Sequence, residues 1–185
     1  MTISRRSVLA AAGGLAALEM TGAPRLAAAV PKDLATDANV ARLAKRSEDA
    51  NAALMRGDAD RFYALIGLAD DFTLMSPFGG TPTHPTDTIE SRKELGRFFK
   101  NGTFEMELVS AWATAEMVVL AVIERSNVEV GALPAQDWAL RVTLVYRRDG
   151  SEWRLAHRHA DPLAHGISVA QSAALARGDR TDPAT

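Results

Sequence analysis

The chain contains no cysteine and no block of basic residues. The first absence excludes disulfides, thiolate metal sites and cysteine nucleophiles. The second, with no interleaving of aromatic and basic side chains, argues against nucleic acid as a partner. There is no internal repeat and no low-complexity segment, which excludes solenoid and array architectures. The apolar run from Val8 to Leu18 is too short to span a bilayer. What remains is a chain of 185 residues, 47% of them hydrophobic, which suits one domain with an ordinary core.

Arg5 and Arg6 precede that apolar run, and Ala27-Ala28-Ala29 supplies the small residues a signal peptidase needs. Residues 1–29 are therefore expected to be an export signal, with 30–36 a linker and a periplasmic or secreted mature protein that has no membrane attachment after cleavage. Ser4-Arg5-Arg6-Ser7-Val8-Leu9 resembles the twin-arginine motif, although Val8 stands where that motif prefers Phe and Ala10 where it prefers Lys. The ordinary secretory route stays open. Removing three arginines and one glutamate with the signal takes the formal net charge from −2 to −4.

Val40, Leu43, Ser47, Ala50 and Leu54 recur at helical spacing beside a charged face. Gly57-Asp58 breaks that helix, and Asp58 can cap a second one carrying Phe62, Leu65 and Ile66. Residues 71–76 alternate as a strand, and the Pro- and Gly-rich stretch from Pro77 to Ile89 reads as a long binding loop or lid, or else as mobile surface. Ser91-Arg92-Lys93-Glu94 has the form of a capping box, opening a helix with Leu95, Phe98 and Phe99 inward and Asn101-Gly102 as its stop. Four strands are expected at about 103–113, 117–130, 136–148 and 152–160, forming an antiparallel meander. Asp149-Gly150 is the hairpin signal between the last two, since both residues tolerate positive φ. Met117 to Ile123 is apolar on both parities, so one sheet face is expected to meet the helices and the other a second subunit.

Strict alternation along the last strand puts Trp153, Leu155, His157, His159 and Asp161 on one face and Arg154, Ala156 and Arg158 on the other. His157 and His159 are thus the leading catalytic candidates, because a desolvated imidazole can move a proton near neutral pH; the alternative is that each ties the last strand to neighbouring backbone groups. Glu124 shares its parity with Val118, Leu120 and Val122 and is the candidate carboxylate base, with a raised pKa. Ligand contacts are expected from Tyr63, Phe72, Phe78, Trp112 and Trp138 as cavity wall, from His84 in the loop, and from Asp161. Arg141 would bind a carboxylate if its face is inward, and would be an interface or solvated residue if outward. Trp153 is expected to be a packing residue. A metal held by His157, His159, Asp161 and His84 is sterically conceivable, but Asp161 before Pro162 is more often a turn residue, and neither metal nor cofactor is expected.

The order αα-β-α-ββββ, with Asp71–Gly80, Leu133–Tyr146 and especially Glu152–Leu163 (EWRLAHRHADPL), resembles the nuclear transport factor 2-like superfamily, also called SnoaL-like. The resemblance covers about residues 37–165, leaving 166–185 as a partly helical or disordered tail. It implies an α+β cone in which a strongly curved antiparallel sheet wraps N-terminal helices around an apolar cavity, usually in a dimer joined through the sheets. Functions in the superfamily range from steroid isomerases, polyketide cyclases and dehydratases to association domains and simple binders. The implied reading is an exported homodimer binding a small apolar or amphipathic molecule. The alternative is a metal-independent isomerase, cyclase or dehydratase with a cavity histidine as general base.

Overall fold

The computed structural model describes residues 34–178, so the expected export signal lies outside the described residues. Helix α1 (Leu34–Met55) begins inside the segment expected to be a linker. It buries Leu43, Ser47, Ala50 and Leu54, the stripe its periodicity marks. Ser47 is tolerated there because its hydroxyl donates to the Leu43 carbonyl, 2.8 Å away, one turn back. Gly57 then takes φ +89°, a conformation that ends the helix cheaply only without a side chain. Asp58 caps α2 (Ala59–Leu65) by accepting from the Arg61 N–H at 2.9 Å.

Strand β1 (Leu68–Met75) leads into the long loop and then α3 (Ile89–Phe98). The cap of α3 is Thr88 rather than Ser91. Thr88 Oγ1 accepts from the Ser91 N–H, and Ser91 Oγ accepts from the Thr88 N–H, so Ser91 is the third helical residue of a box that starts three residues earlier. The helix also ends earlier than Asn101-Gly102. These two residues sit within β2 (Phe99–Ala113), where the pairing slips and Asn101 takes φ +56°.

Strands β3 (Met117–Val130), β4 (Leu133–Asp149) and β5 (Glu152–Pro162) complete the expected meander. The sheet order is β1-β5-β4-β3-β2, with β1 parallel to β5 and the other neighbours antiparallel. Asp149 pairs with Glu152, so the hairpin loop is Gly150-Ser151, and positive φ falls on Gly150 alone. The inner face of the sheet buries Val118, Leu120, Val122, Val142, Leu144, Tyr146, Trp153 and Leu155 against Leu43, Ala50 and Ile66. Each fully buried leucine or isoleucine there contributes about 1.5–3 kcal/mol. Trp153 is a packing residue, as its parity implies. Beyond the sheet lies α4 (Val169–Ala176), a short exposed helix.

One irregularity decides the rest. Val145 pairs with His157, but its neighbour Tyr146 pairs with Leu155, leaving Ala156 as an extra residue in β5. This β-bulge reverses the side-chain alternation within the strand. Trp153 and Leu155 point inward before it, and Arg158 and Ala160 point inward after it. His157 and His159 are turned to the outer face.

Candidate functional site

A cavity of about 370 Å³ lies between the inner face of the sheet and the helices. Helix α1 contributes Asn51, Leu54 and Met55, and α2 contributes Phe62 and Tyr63. The wall is completed by Phe72 of β1, Phe98 of α3, Phe104 of β2, and Trp138, Leu140 and Leu144 of β4. Pro77, Phe78 and Pro85 bring the long loop over it. Its volume and largely apolar lining are those of a small-molecule site, which commonly runs from about 300 to 1000 Å³.

Two charged residues, Glu124 and Arg158, line this space. Arg158 Nη1 donates to Glu124 Oε1 at 2.8 Å, and Nη2 to Oε2 at 2.7 Å. The side chains are 17% and 4% exposed, so the pair is drawn almost wholly out of water. Burial pulls the Arg158 pKa down, but the charge and hydrogen bonds of Glu124 outweigh it and hold it above the ordinary arginine value. Both carboxylate oxygens are therefore engaged by a permanent cation. Glu124 faces the cavity as expected, yet as half of a fixed pair rather than as a free base. Deeper in the core, Tyr146 Oη lies 2.8 Å from Ser47 Oγ. The serine proton already goes to Leu43, so the tyrosine is the donor. Burial pushes the phenol pKa up.

The histidines correct the sequence reading. His157 Nδ1 donates to the Thr73 carbonyl at 3.0 Å and ties β5 to β1. His159 Nε2 lies 3.3 Å from Asp161 Oδ2, with both side chains about half exposed. Neither ring lines the cavity, because the Ala156 bulge carries both to the other face. Asp161 goes with them. His84 Nδ1 donates to the Phe72 carbonyl at 3.1 Å. Together with the paired Leu74 and Thr83 backbones, this pins the loop to β1, and His84 is not among the cavity-lining residues. Among the described residues, no cluster of three or more histidines or carboxylates is placed to hold a metal.

Of the expected wall residues, Tyr63, Phe72, Phe78 and Trp138 line the cavity. Trp112 does not: it pairs with Val119 on the outer side and is 60% exposed. Arg141 is also outward and exposed, opposite Asp161 in the neighbouring strand. Arg158, Ser126 and Asn51 were not foreseen. Ser126 was legible from the parity it shares with Glu124, whereas nothing in strict alternation could have turned Arg158 inward.

This architecture, a curled sheet around α1 with a cavity between them, agrees with the comparisons. A family model for the SnoaL-like domain matches residues 45–164. The chain belongs to the SnoaL-like domain family. Its fold is the nuclear transport factor 2-like cone. A nuclear transport factor 2-like protein of unknown function from Pseudomonas putida KT2440 is 19% identical, with 74% of this chain and 93% of that one covered at a TM-score of 0.56. A candidate dehydratase of the nuclear transport factor 2-like family from Streptomyces avermitilis is 17% identical, covering 70% and 99% at 0.53. The association domain of C. elegans calcium/calmodulin-dependent protein kinase II is 12% identical, covering 69% and 98% at 0.50. No curated protein matches the chain. At these identities the structural likeness fixes the SnoaL-like fold and leaves its chemistry to the residues of the cavity.

The outer face of the SnoaL-like sheet is also apolar. Val119, Ala121 and Ile123 of β3 and Thr143 and Val145 of β4 are half-buried on it, flanked by His157 and the exposed Trp112. Among the described residues, no helix is long and apolar enough to cross a membrane.

Proposed function

We propose that this chain is an exported SnoaL-like protein that binds a small apolar or amphipathic molecule in its cone cavity, as a homodimer joined through the outer sheet face. The observation that carries the binding reading is the cavity itself: about 370 Å³, walled by aromatic and aliphatic side chains, with its two charges spent on each other. Export rests on Arg5-Arg6, the apolar run after them and Ala27-Ala28-Ala29. Association rests on the uncovered apolar face around Val119 and Val145. One structural neighbour is itself an association domain.

The isomerase, cyclase or dehydratase alternative is the less supported reading, since none of the four histidines lines the cavity and Glu124 is clamped by Arg158. The binding reading is tested by titrating the protein with N-phenyl-1-naphthylamine, a neutral probe that fluoresces in apolar surroundings. Saturable one-to-one uptake is expected, and it should be abolished by filling the cavity with Leu140→Trp. Uptake that never saturates, or that survives in the filled variant, would remove the cavity as a binding site.

A further inference from the structure

Trp138 Nε1 is a buried donor with no acceptor among the described residues. Folds rarely leave such a group unpaired, because its lost hydration is not repaid. The indole belongs to a cavity wall residue, and Ser126 stands directly opposite it in the β3–β4 pairing and also lines the cavity. Residues directly opposite on one sheet face have Cβ atoms only about 4.5–5.5 Å apart, close enough to serve one ligand atom. The Ser126 hydroxyl has no hydrogen bond within the described residues. Two residues whose polar groups have no partner among the described residues thus face each other across the β3–β4 pairing in a largely apolar wall.

We propose that Trp138 Nε1–H and Ser126 Oγ–H form one anchor that selects neutral, largely apolar ligands carrying a single carbonyl oxygen. The inference rests on the cavity being a binding site. Neutrality follows from Glu124 and Arg158, the only charged lining residues among the described ones, which satisfy each other and leave no counter-charge for an ionic ligand. A carbonyl is the matching chemistry because its two lone pairs accept from both donors at once. Access runs past Phe78, which packs edge-on against the Trp138 ring at 5.9 Å from a loop position and is 54% exposed. Seating the ligand oxygen requires this ring to yield.

The test uses the full chain labelled with ¹⁵N at its three tryptophans, whose indole signals are sorted by Trp138→Phe. It is titrated with 2-acetylnaphthalene and with 2-isopropenylnaphthalene, a hydrocarbon of the same shape. The ketone should bind at least about fivefold tighter, the difference one good hydrogen bond makes, and should shift the Trp138 indole proton downfield. That advantage should vanish in Trp138→Phe and shrink in Ser126→Ala. Equal affinity for both probes, or an advantage that survives Trp138→Phe, overturns the anchor and leaves the cavity reading standing. Failure of both probes to bind overturns both. If Trp138→Phe does not fold, the wild-type indole shift and Ser126→Ala decide the matter by the same criteria.

Discussion

Arg158 grips Glu124 with two parallel hydrogen bonds of 2.8 and 2.7 Å across the inner face of the sheet, and the extra residue at Ala156 is what brings it there. Without the bulge, Arg158 would face outward, and Glu124 would be a buried carboxylate with no partner.

Breaking one side of this pair leaves a lone charge in the cavity. Glu124→Gln or Arg158→Met alone is expected to cost about 3–5 kcal/mol, measured by urea unfolding. Replacing both together with apolar residues of similar size should restore most of that loss. Single variants as stable as the parent would show that water, not the partner, solvates each group.

Tyr146 sets a limit on the alkaline side. Its folded pKa lies above the ordinary value of 10.0 because burial disfavours the phenolate. A raised pKa contributes stability that is complete below the unfolded value and is lost as pH rises through the folded one. Unfolding should therefore set in above about pH 10, with one of the two tyrosines ionising only as the chain opens. Absorbance at 295 nm follows this directly. Tyr146→Phe should abolish the late-titrating tyrosine at a cost of about 1 kcal/mol for the hydrogen bond to Ser47.

The outer sheet face gives a separate test of assembly. Val145→Asp places a charge in the middle of the apolar strip and is expected to convert the proposed dimer to monomer in sedimentation velocity, with the cavity still binding its probe. A wild-type protein that sediments as a monomer, or a Val145→Asp variant that stays dimeric, would exclude this face as the interface.

Gly102 is required for close approach rather than for an unusual φ. A Cβ there would lie 2.6 Å from the Val128 Cβ and 2.8 Å from the Met55 carbonyl oxygen. Gly102→Ala is expected to destabilise by about 1–3 kcal/mol as β2 is pushed from α1. A thermal midpoint equal to the parent's would show that the strand yields freely at this bulge.

Much of the fold was legible in local chemistry. The buried stripe of α1, the Asp58 cap and the bounds of β3 follow from periodicity and end signals that act over a few residues. Legibility failed by small offsets wherever two local signals competed. Ser91 was an acceptable cap, but Thr88 lies where the chain already runs extended, and its box with Ser91 closes both donors. Asn101-Gly102 read as a helix stop and became a strand bulge because Gly102 lets β2 pass close to α1 and β3.

In the site, Tyr63, Phe72, Phe78, Trp138 and Glu124 were visible as apolar or parity-matched positions. Unbroken parity along β5 puts the histidines on the inner face, whereas the bulge at Ala156 puts them on the outer one. A bulge depends on how β5 must bend to pair with β4 and β1 at once, and no residue near Ala156 announces it.

The α+β order, the amphipathic faces of the elements and the aromatic stock from which a cavity is made are written locally along the chain, because they depend on side-chain periods of 3.6 and 2. Which charged and polar groups enter that cavity is set by the way the strands pack. Arg158 in place of His157, the clamped Glu124 and the orphaned Trp138 Nε1 all follow from strand register, and register is a compromise among neighbouring strands rather than a property of any one of them.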